Sequence, residues 1–269
     1  MDNIFTIDLE DWYHANYHGD SETHSSSRVI SPTLKILELL KKTNNYATFF
    51  VLGSVAQKYP NLIKEIEHQG HEIASHSFNH QLVYSLTETE FIKDTEKSLT
   101  ILSKISRKPI IGYRAPSWSV SQNKTPWFWK SLSKLGFKYS SSLFPFKTFL
   151  YGDSSANPLP HLQQSILEIP PSIFTIYKKN IPFSGGFYLR LFPTKIIKLF
   201  TQKLNNNKVI VNYYIHPREI DQKQPKLKNL TAFQYFIHYY NIKNTKNKLE
   251  ELLYFTHTKP IRDFLNELS

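Results

Sequence analysis

Strand-length apolar runs alternate with helix-period segments about seven times along this chain, which limits the folds open to it. IFTIDL (Ile4–Leu9), YATFFVL (Tyr46–Leu52), HEIAS (His71–Ser75), PIIGYR (Pro109–Arg114), KYSS (Lys138–Ser141), SILEIP (Ser165–Pro170) and KVIVNYYIH (Lys208–His216) read as strands. Helices are expected over Pro32–Lys42, Asn61–Gln69, Thr87–Ser103, Trp127–Leu135 and Pro193–Leu204. Ser31 and Pro32 look like an N-cap and first helical residue, and Gly70 and Gly136 like stops. Leu143–Gln164, with its Pro and Ser residues, reads as a long surface loop, and Phe183–Pro193 as a glycine-turn segment. The terminal helices are Asn244–Tyr254 and Pro260–Leu268.

Such alternation favours parallel βα units, either as a closed barrel or as an open doubly wound sheet. The 269 residues contain 40% hydrophobic side chains, enough for a sizeable core, and neither a repeat nor a low-complexity linker. A single α/β domain over 1–269 follows, with a core over about 1–220 and a helical C-terminal extension over about 221–269. The absence of cysteine excludes disulfides, thiolate metal sites and a Cys nucleophile. The net charge of +11 is spread over scattered lysines, with short pairs at Lys41–Lys42 and Lys178–Lys179. That pattern speaks against nucleic acid as partner and for weak attraction to an anionic lipid surface or glycan. No stretch approaches the roughly 18 apolar residues of a membrane span. The opening MDNIFTIDLEDW carries acids where a signal peptide needs basic residues. A cytoplasmic protein touching the inner membrane face is the expectation.

Polar residues gather where barrel strands end, the place where barrel enzymes keep their chemistry. Asp8, Glu10 and Asp11 crowd the end of the first strand; His76 and His80 follow the third, Arg114 the fourth and His216 the last. Strand alternation puts Thr6, Asp8 and Glu10 on one face. Burying like charges there calls for a cation or a shared proton. Two imidazoles and a carboxylate would hold a divalent metal and leave positions open for water and substrate. The middle of SHSFNH holds no glutamate, so this is not the motif of the zinc proteases.

GHEIASHSFNH (Gly70–His80) resembles the metal-binding motif of the polysaccharide deacetylases, the NodB-homology enzymes of the carbohydrate esterase family 4 type. FTIDLEDW is similar to their aspartate motif, GYRAPSWS (Gly112–Ser119) to their arginine–proline motif, and IHPRE (Ile215–Glu219) to their closing histidine motif. SGGFYLRLFP, YYIHPREID and FIHYYN look like the branch linked to exopolysaccharide export and exosortases, whose first motif reads D-x-E-D. The resemblance implies an irregular (β/α)7 barrel with extra C-terminal helices. It also implies hydrolysis of an N-acetyl, or O-acetyl, group on a glycan or lipid-linked sugar, assisted by Zn2+, Co2+ or another divalent ion.

Carried over, Asp8 is the base, Arg114 its partner and His216 the acid. His76 and His80 are metal ligands, with Asp11 or Glu10 as the third. Asp11 keeps the family's residue type and Glu10 keeps the face; the reading leans to Asp11. Trp12, Pro116 and Trp118 are candidate substrate contacts, and a backbone N–H after Trp12 is a candidate oxyanion donor. One departure stands out: Ser140 occupies the position where the family often has a carboxylate that tunes the acid, so the acid is either weaker or oriented by Glu219 or Glu168 instead. Two other readings accompany this one: a C–N hydrolase of the same fold acting on a small cyclic amide, and a catalytically silent glycan-binding module.

Overall fold

The computed structural model describes residues 1–16, 26–121, 123–148, 151–177 and 179–268. Lys178 and residues 149–150 of the expected loop lie outside the described residues. Seven strands run parallel: β1 (Asn3–Leu9), β2 (Thr48–Val51), β3 (Glu72–Ser75), β4 (Gly112–Tyr113), β5 (Tyr139–Ser140), β7 (Ile166–Glu168) and β10 (Asn212–Ile215). Their order is β10-β1-β2-β3-β4-β5-β7, and β6 (His161–Gln163) adds antiparallel to β7. The helices α1 (Ile30–Lys42), α2 (Gly53–Lys58), α3 (Pro60–His68), α4 (Glu88–Ile105), α5 (Phe128–Lys134), α6 (Gly186–Leu191) and α7 (Thr194–Asn206) connect the strands. The fold is a curled, incompletely closed α/β barrel, with β7 and β10 at its open seam.

Period-two alternation sorts β1 between two cores. Phe5, Ile7 and Leu9 face outward and pack with Ile36, Leu40, Ile63 and Leu252 of the helical shell. Ile4 faces inward with Phe50, Tyr139 and Leu167. Gly112 makes room there, because a Cβ on it would lie 2.0 Å from the Tyr139 ring. Thr6 and Asp8 continue the inward face toward the strand's C-terminal end, where the barrel interior turns polar.

β7 and β10 do not pair as strands; irregular chain bridges the gap between them. Asn212 Nδ2 donates to the carbonyls of Ile169 and Pro170, both at 3.2 Å, and the Asn212 N–H donates to Ser172 Oγ at 2.9 Å. Higher up, the Tyr214 N–H donates to Ser184 O, and Gly185 bridges to Tyr214.

Several sequence expectations change in detail. Helix α1 begins at Ile30 with Val29 as cap, so Ser31 and Pro32 lie inside its first turn, where a missing N–H costs nothing. Helix α2 and the hairpin of β8 (Ile173–Ile176) with β9 (Lys179–Pro182) were not anticipated; both are too short to leave a clear period. The expected glycine turn is helix α6. The C-terminal segment holds α8 (Ala232–Tyr239), α9 (Ile242–Phe255), β11 (Thr258–Lys259) and α10 (Leu265–Leu268). It is not only a helical appendage. β11 pairs with the start of β1, and Ile261 and Phe264 plug the barrel floor. Among the described residues, no helix is long and apolar enough to cross a membrane.

Replacing Asn212 with Ala should leave the two buried carbonyls of the seam without this donor, at a cost of about 2 kcal/mol. Urea unfolding should show a lower midpoint at unchanged m. A loss under about 0.5 kcal/mol would mean that Asn212 does not hold the barrel shut.

Candidate active site at the barrel mouth

Arg114 follows β4 and turns its fully buried guanidinium into the barrel, 4.1 Å above the Phe50 ring. Its Nη1 donates to Asp8 Oδ1 at 2.6 Å and to Thr6 Oγ1 at 2.9 Å. Its Nε donates to Ser141 O, and its Nη2 to Ser141 Oγ. Thr6 Oγ1 donates onward to Tyr213 O. A buried Arg–carboxylate pair stabilises only where its remaining hydrogen-bonding capacity is met, and here neighbouring strands meet it. Asp8 is thereby held by one oxygen, while Oδ2 lies 3.8 Å from His216 Nε2.

The segment after β3 carries His76 and His80. Gly53 donates its N–H to Ser77 O, Ser54 donates to Phe78 O, and Asp94 on α4 accepts from the N–H groups of Phe78 and Asn79. Ser77 and His80 both have left-handed backbone, φ 67° and 59°, a conformation kept at specially held positions. His76 Nδ1 lies 2.8 Å from Arg114 O. A carbonyl only accepts, so Nδ1 carries the proton and Nε2 offers a lone pair. Burial pushes the His76 pKa down to about 4, which keeps the ring neutral, as a metal ligand must be.

Glu10 completes the cluster. One ligand atom each from Glu10, His76 and His80 lies within 4.8 Å of the others, and all three residues are buried. Glu10 Oε2 is 2.7 Å from His80 Nε2, yet it accepts no aligned hydrogen bond. A buried carboxylate oxygen this close to an imidazole nitrogen, without an aligned hydrogen bond among the described residues, is an arrangement a shared cation would suit. Burial would raise the Glu10 carboxyl pKa, but the imidazoles of His80 and His216 outweigh it and hold the group well below the usual carboxylate range. The residues present therefore fit a divalent ion with two nitrogen ligands and one oxygen ligand. Asn16 Nδ2 lies 3.2 Å from His80 Nδ1 and donates to Ser117 Oγ; with the amide flipped, its oxygen would accept from both Nδ1–H and the Ser117 hydroxyl and leave His80 Nε2 for the ion.

Asp11 is elsewhere, which corrects the lean toward it as the third ligand. Its carboxylate accepts from the N–H groups of Trp12 and Arg28 and from Ser27 Oγ. Two further candidates are also displaced. Trp12 is buried with its Nε1 donating to Ser26 O, and it does not line the cavity. Pro116 is buried at the head of the 3-10 turn Pro116–Trp118 and is likewise absent from the lining. Trp118 does line the cavity, packed 4.5 Å from Tyr214 and 5.2 Å from Tyr151. Its φ of 45°, following 51° at Ser117, marks a held backbone conformation. The cavity measures about 380 Å³, with Asp8, Glu10, His76, His80 and His216 among polar groups set between aromatic walls.

His216 ends β10 and lies 3.4 Å from Glu10 Oε1 through Nε2. Its Nδ1 is 3.2 Å from Glu219 Oε1, and Glu219 Oε2 accepts from Arg190 Nε at 2.5 Å. Burial would raise the Glu219 pKa, but Arg190 and Arg218 hold it far below the usual range, so it stays an anion behind the ring. Gly186 permits this approach: a Cβ there would lie 2.6 Å from the Glu219 carboxyl. Glu168, the other candidate, is occupied by the N–H groups of Ser142 and Leu143 and by Trp129 Nε1. Ser140 donates to Ser142 Oγ. Arg190 and Asn16 were missed from sequence; only the adjacent glycines of SGGFYLR hinted at a close approach near Arg190.

Residues 31–140 match the family model described as polysaccharide deacetylase, and residues 141–266 match a domain of unknown function, DUF3473. A 95-residue stretch is 35% identical to the peptidoglycan-N-acetylglucosamine deacetylase of Bacillus cereus, covering 35% of this chain and 34% of that protein. The chain spans between 16% and 36% of the lengths of three such curated relatives. A Mycobacterium smegmatis crystal structure, described as a polysaccharide deacetylase, superposes with a TM-score of 0.64 at 18% identity, over 98% of this chain and 88% of that one. A CE4 family pseudoenzyme from Bacillus anthracis superposes at 0.54 and 13% identity, over 99% and 66%. Residues 31–140 thus match the polysaccharide deacetylase model, and the whole chain shares the fold of the Mycobacterium smegmatis structure.

Proposed function

We propose that this protein is a divalent-metal-dependent deacetylase that hydrolyses the acetyl amide, or an acetyl ester, of an acetylated sugar. One observation carries the reading: the Glu10, His76 and His80 ligand atoms cluster beside an Asp8 locked to Arg114, with His216 across from both. The fold alone would not carry it, since the CE4 pseudoenzyme shares that fold. The relatives named for peptidoglycan and chitin deacetylation support a glycan substrate class. An exopolysaccharide or its lipid-linked precursor, met at the inner face of the membrane, is the narrower form of the proposal.

Glu10, His76 and His80 would hold the ion, with Zn2+ or Co2+ suited to the N2O donor set. A bound divalent ion supplies Lewis acidity and an acidified water. Asp8, held by Arg114 through one oxygen, keeps the other available to take a proton from water. His216 Nε2 faces the same space and delivers a proton to the leaving amine. Glu219 fixes the protonated Nδ1 and supplies the negative charge that Ser140 does not. Trp118, Tyr214 and Tyr151 form a wall suited to an apolar sugar face.

Metal content of purified protein tests the ligand set first. Glu10→Gln, His76→Ala and His80→Ala should each weaken binding at least tenfold, while Asp11→Asn retains the ion. Metal loss in Asp11→Asn alone would return that residue to the ligand set. Acetate release from N-acetylated chitooligosaccharide then tests the chemistry. Chelation should abolish it, and Asp8→Asn or His216→Asn should lower kcat by about 10²–10⁴ with metal retained. Undiminished release after metal removal would end the proposal. Glu219→Gln should lower kcat by on the order of tenfold, with KM little changed and the circular dichroism spectrum intact; unaltered kcat would show that Glu219 does not orient the acid.

A further inference from the structure

We infer that α8 and the lysine-rich segment before it seat the mouth of the cavity on an anionic lipid surface. Between residues 222 and 248 the chain carries six lysines and no Asp or Glu. Lys223, Lys226 and Lys228 are exposed immediately before α8, and Lys243 is exposed just beyond it. On α8 itself Tyr235 is 40% exposed and Phe236 42%, with Tyr240 just past its end at 39%. Phe233, Phe236, Ile237 and Tyr240 follow the i, i+3, i+4, i+7 spacing of one helical stripe, while His238 is turned away and buried. An apolar, aromatic stripe flanked by lysines is the composition of a helix that lies in a membrane interface.

Two features select lipid over other occupants. A second copy of the chain would bring this basic face against a molecule of net charge +11, so like charges would meet. A soluble anionic glycan would answer the lysines but give no apolar cover to the exposed Phe236 ring, which a lipid interface does. The stripe is also continuous with the site: Phe233 and Ile237 line the cavity that holds Asp8 and His216. Docking through α8 would therefore place the opening against the surface from which a lipid-carried sugar projects. This inference goes beyond the deacetylase reading and does not require it, because docking is read without substrate.

The test is sedimentation of the 269-residue chain with vesicles of phosphatidylcholine alone or with about 30% phosphatidylglycerol. Binding should require the anionic lipid and fall at least tenfold on raising salt from about 0.1 to 0.5 M, where screening shortens the range of charge attraction. Lys223→Gln/Lys226→Gln/Lys228→Gln and Phe236→Ser/Tyr240→Ser should each cut partitioning at least tenfold, with unchanged thermal unfolding and metal content. The inference is overturned if wild type ignores anionic vesicles, or if both folded variants bind as wild type does. It is equally overturned if the chain binds soluble dextran sulfate as tightly as vesicles with no dependence on Phe236 and Tyr240, or if it sediments as a dimer that the aromatic substitutions dissociate. Loss of acetate release with vesicle binding intact would count against the catalytic proposal alone.

Discussion

Two carboxylates held almost out of water at the end of one strand set the terms for the rest of the molecule. Asp8 and Glu10 are 2% and 3% exposed, and an isolated buried anion is among the most costly things a fold can contain. Asp8 is balanced by Arg114, which reaches across the barrel from β4 and is itself supported by Thr6 and Ser141. Among the described residues, Glu10 is paired with imidazoles, and one of its oxygens has no aligned bond. The two acids thus differ in kind. One is paired with a permanent cation, and the other lies in the cluster proposed to hold an ion. The roles proposed for them follow that difference, although they stand two residues apart.

The barrel makes the division possible. Its floor is closed by Ile261 and Phe264 around a buried Glu72 that accepts from Thr48 and the Arg262 N–H, and a second set of polar groups runs from Thr6 to the mouth. Arg114 can be buried completely because Phe50 lies under its guanidinium and four oxygen atoms accept its hydrogen bonds. On the far wall Arg190 repeats the logic. It holds Glu219 against His216 and donates to the carbonyls of Ile237 and Tyr240, so the C-terminal segment is tied to the proposed acid. The matched polysaccharide deacetylase segment ends at residue 140, yet His216, Glu219 and Arg190 all lie beyond it. The site needs both matched segments.

Much of this was legible because a strand has a period of two. Alternation alone placed Thr6, Asp8 and Glu10 on one face, and the structure keeps Glu10 with the histidines. The lean toward Asp11 followed residue type instead, and the structure places that carboxylate on Trp12, Ser27 and Arg28 rather than with the histidines. Beyond Leu9 the chain leaves the strand, and Asp11 turns to cap the backbone at Trp12 and Arg28. Trp12 failed as a sugar wall for a related reason: its position after the motif says nothing about which way the chain turns. Glu219 was named as a possible substitute for the carboxylate missing at Ser140, since it lies three residues from His216. Arg190 could not be found that way, because its partner is 29 residues distant in sequence and meets it only after α6 and β10 are packed. Helix α8 was missed because its aromatic residues, exposed rather than core-facing, do not separate one face from another in sequence.

X-ray absorption at the metal edge of zinc-loaded protein tests the central claim most directly. The account predicts two imidazole nitrogens at about 2.0–2.1 Å and one carboxylate oxygen at about 2.0–2.2 Å, with the remaining positions filled by water. The same signal should change in a Glu10→Gln protein and stay the same in Asp11→Asn. A spectrum with three imidazoles, or one that responds only to Asp11, would contradict it.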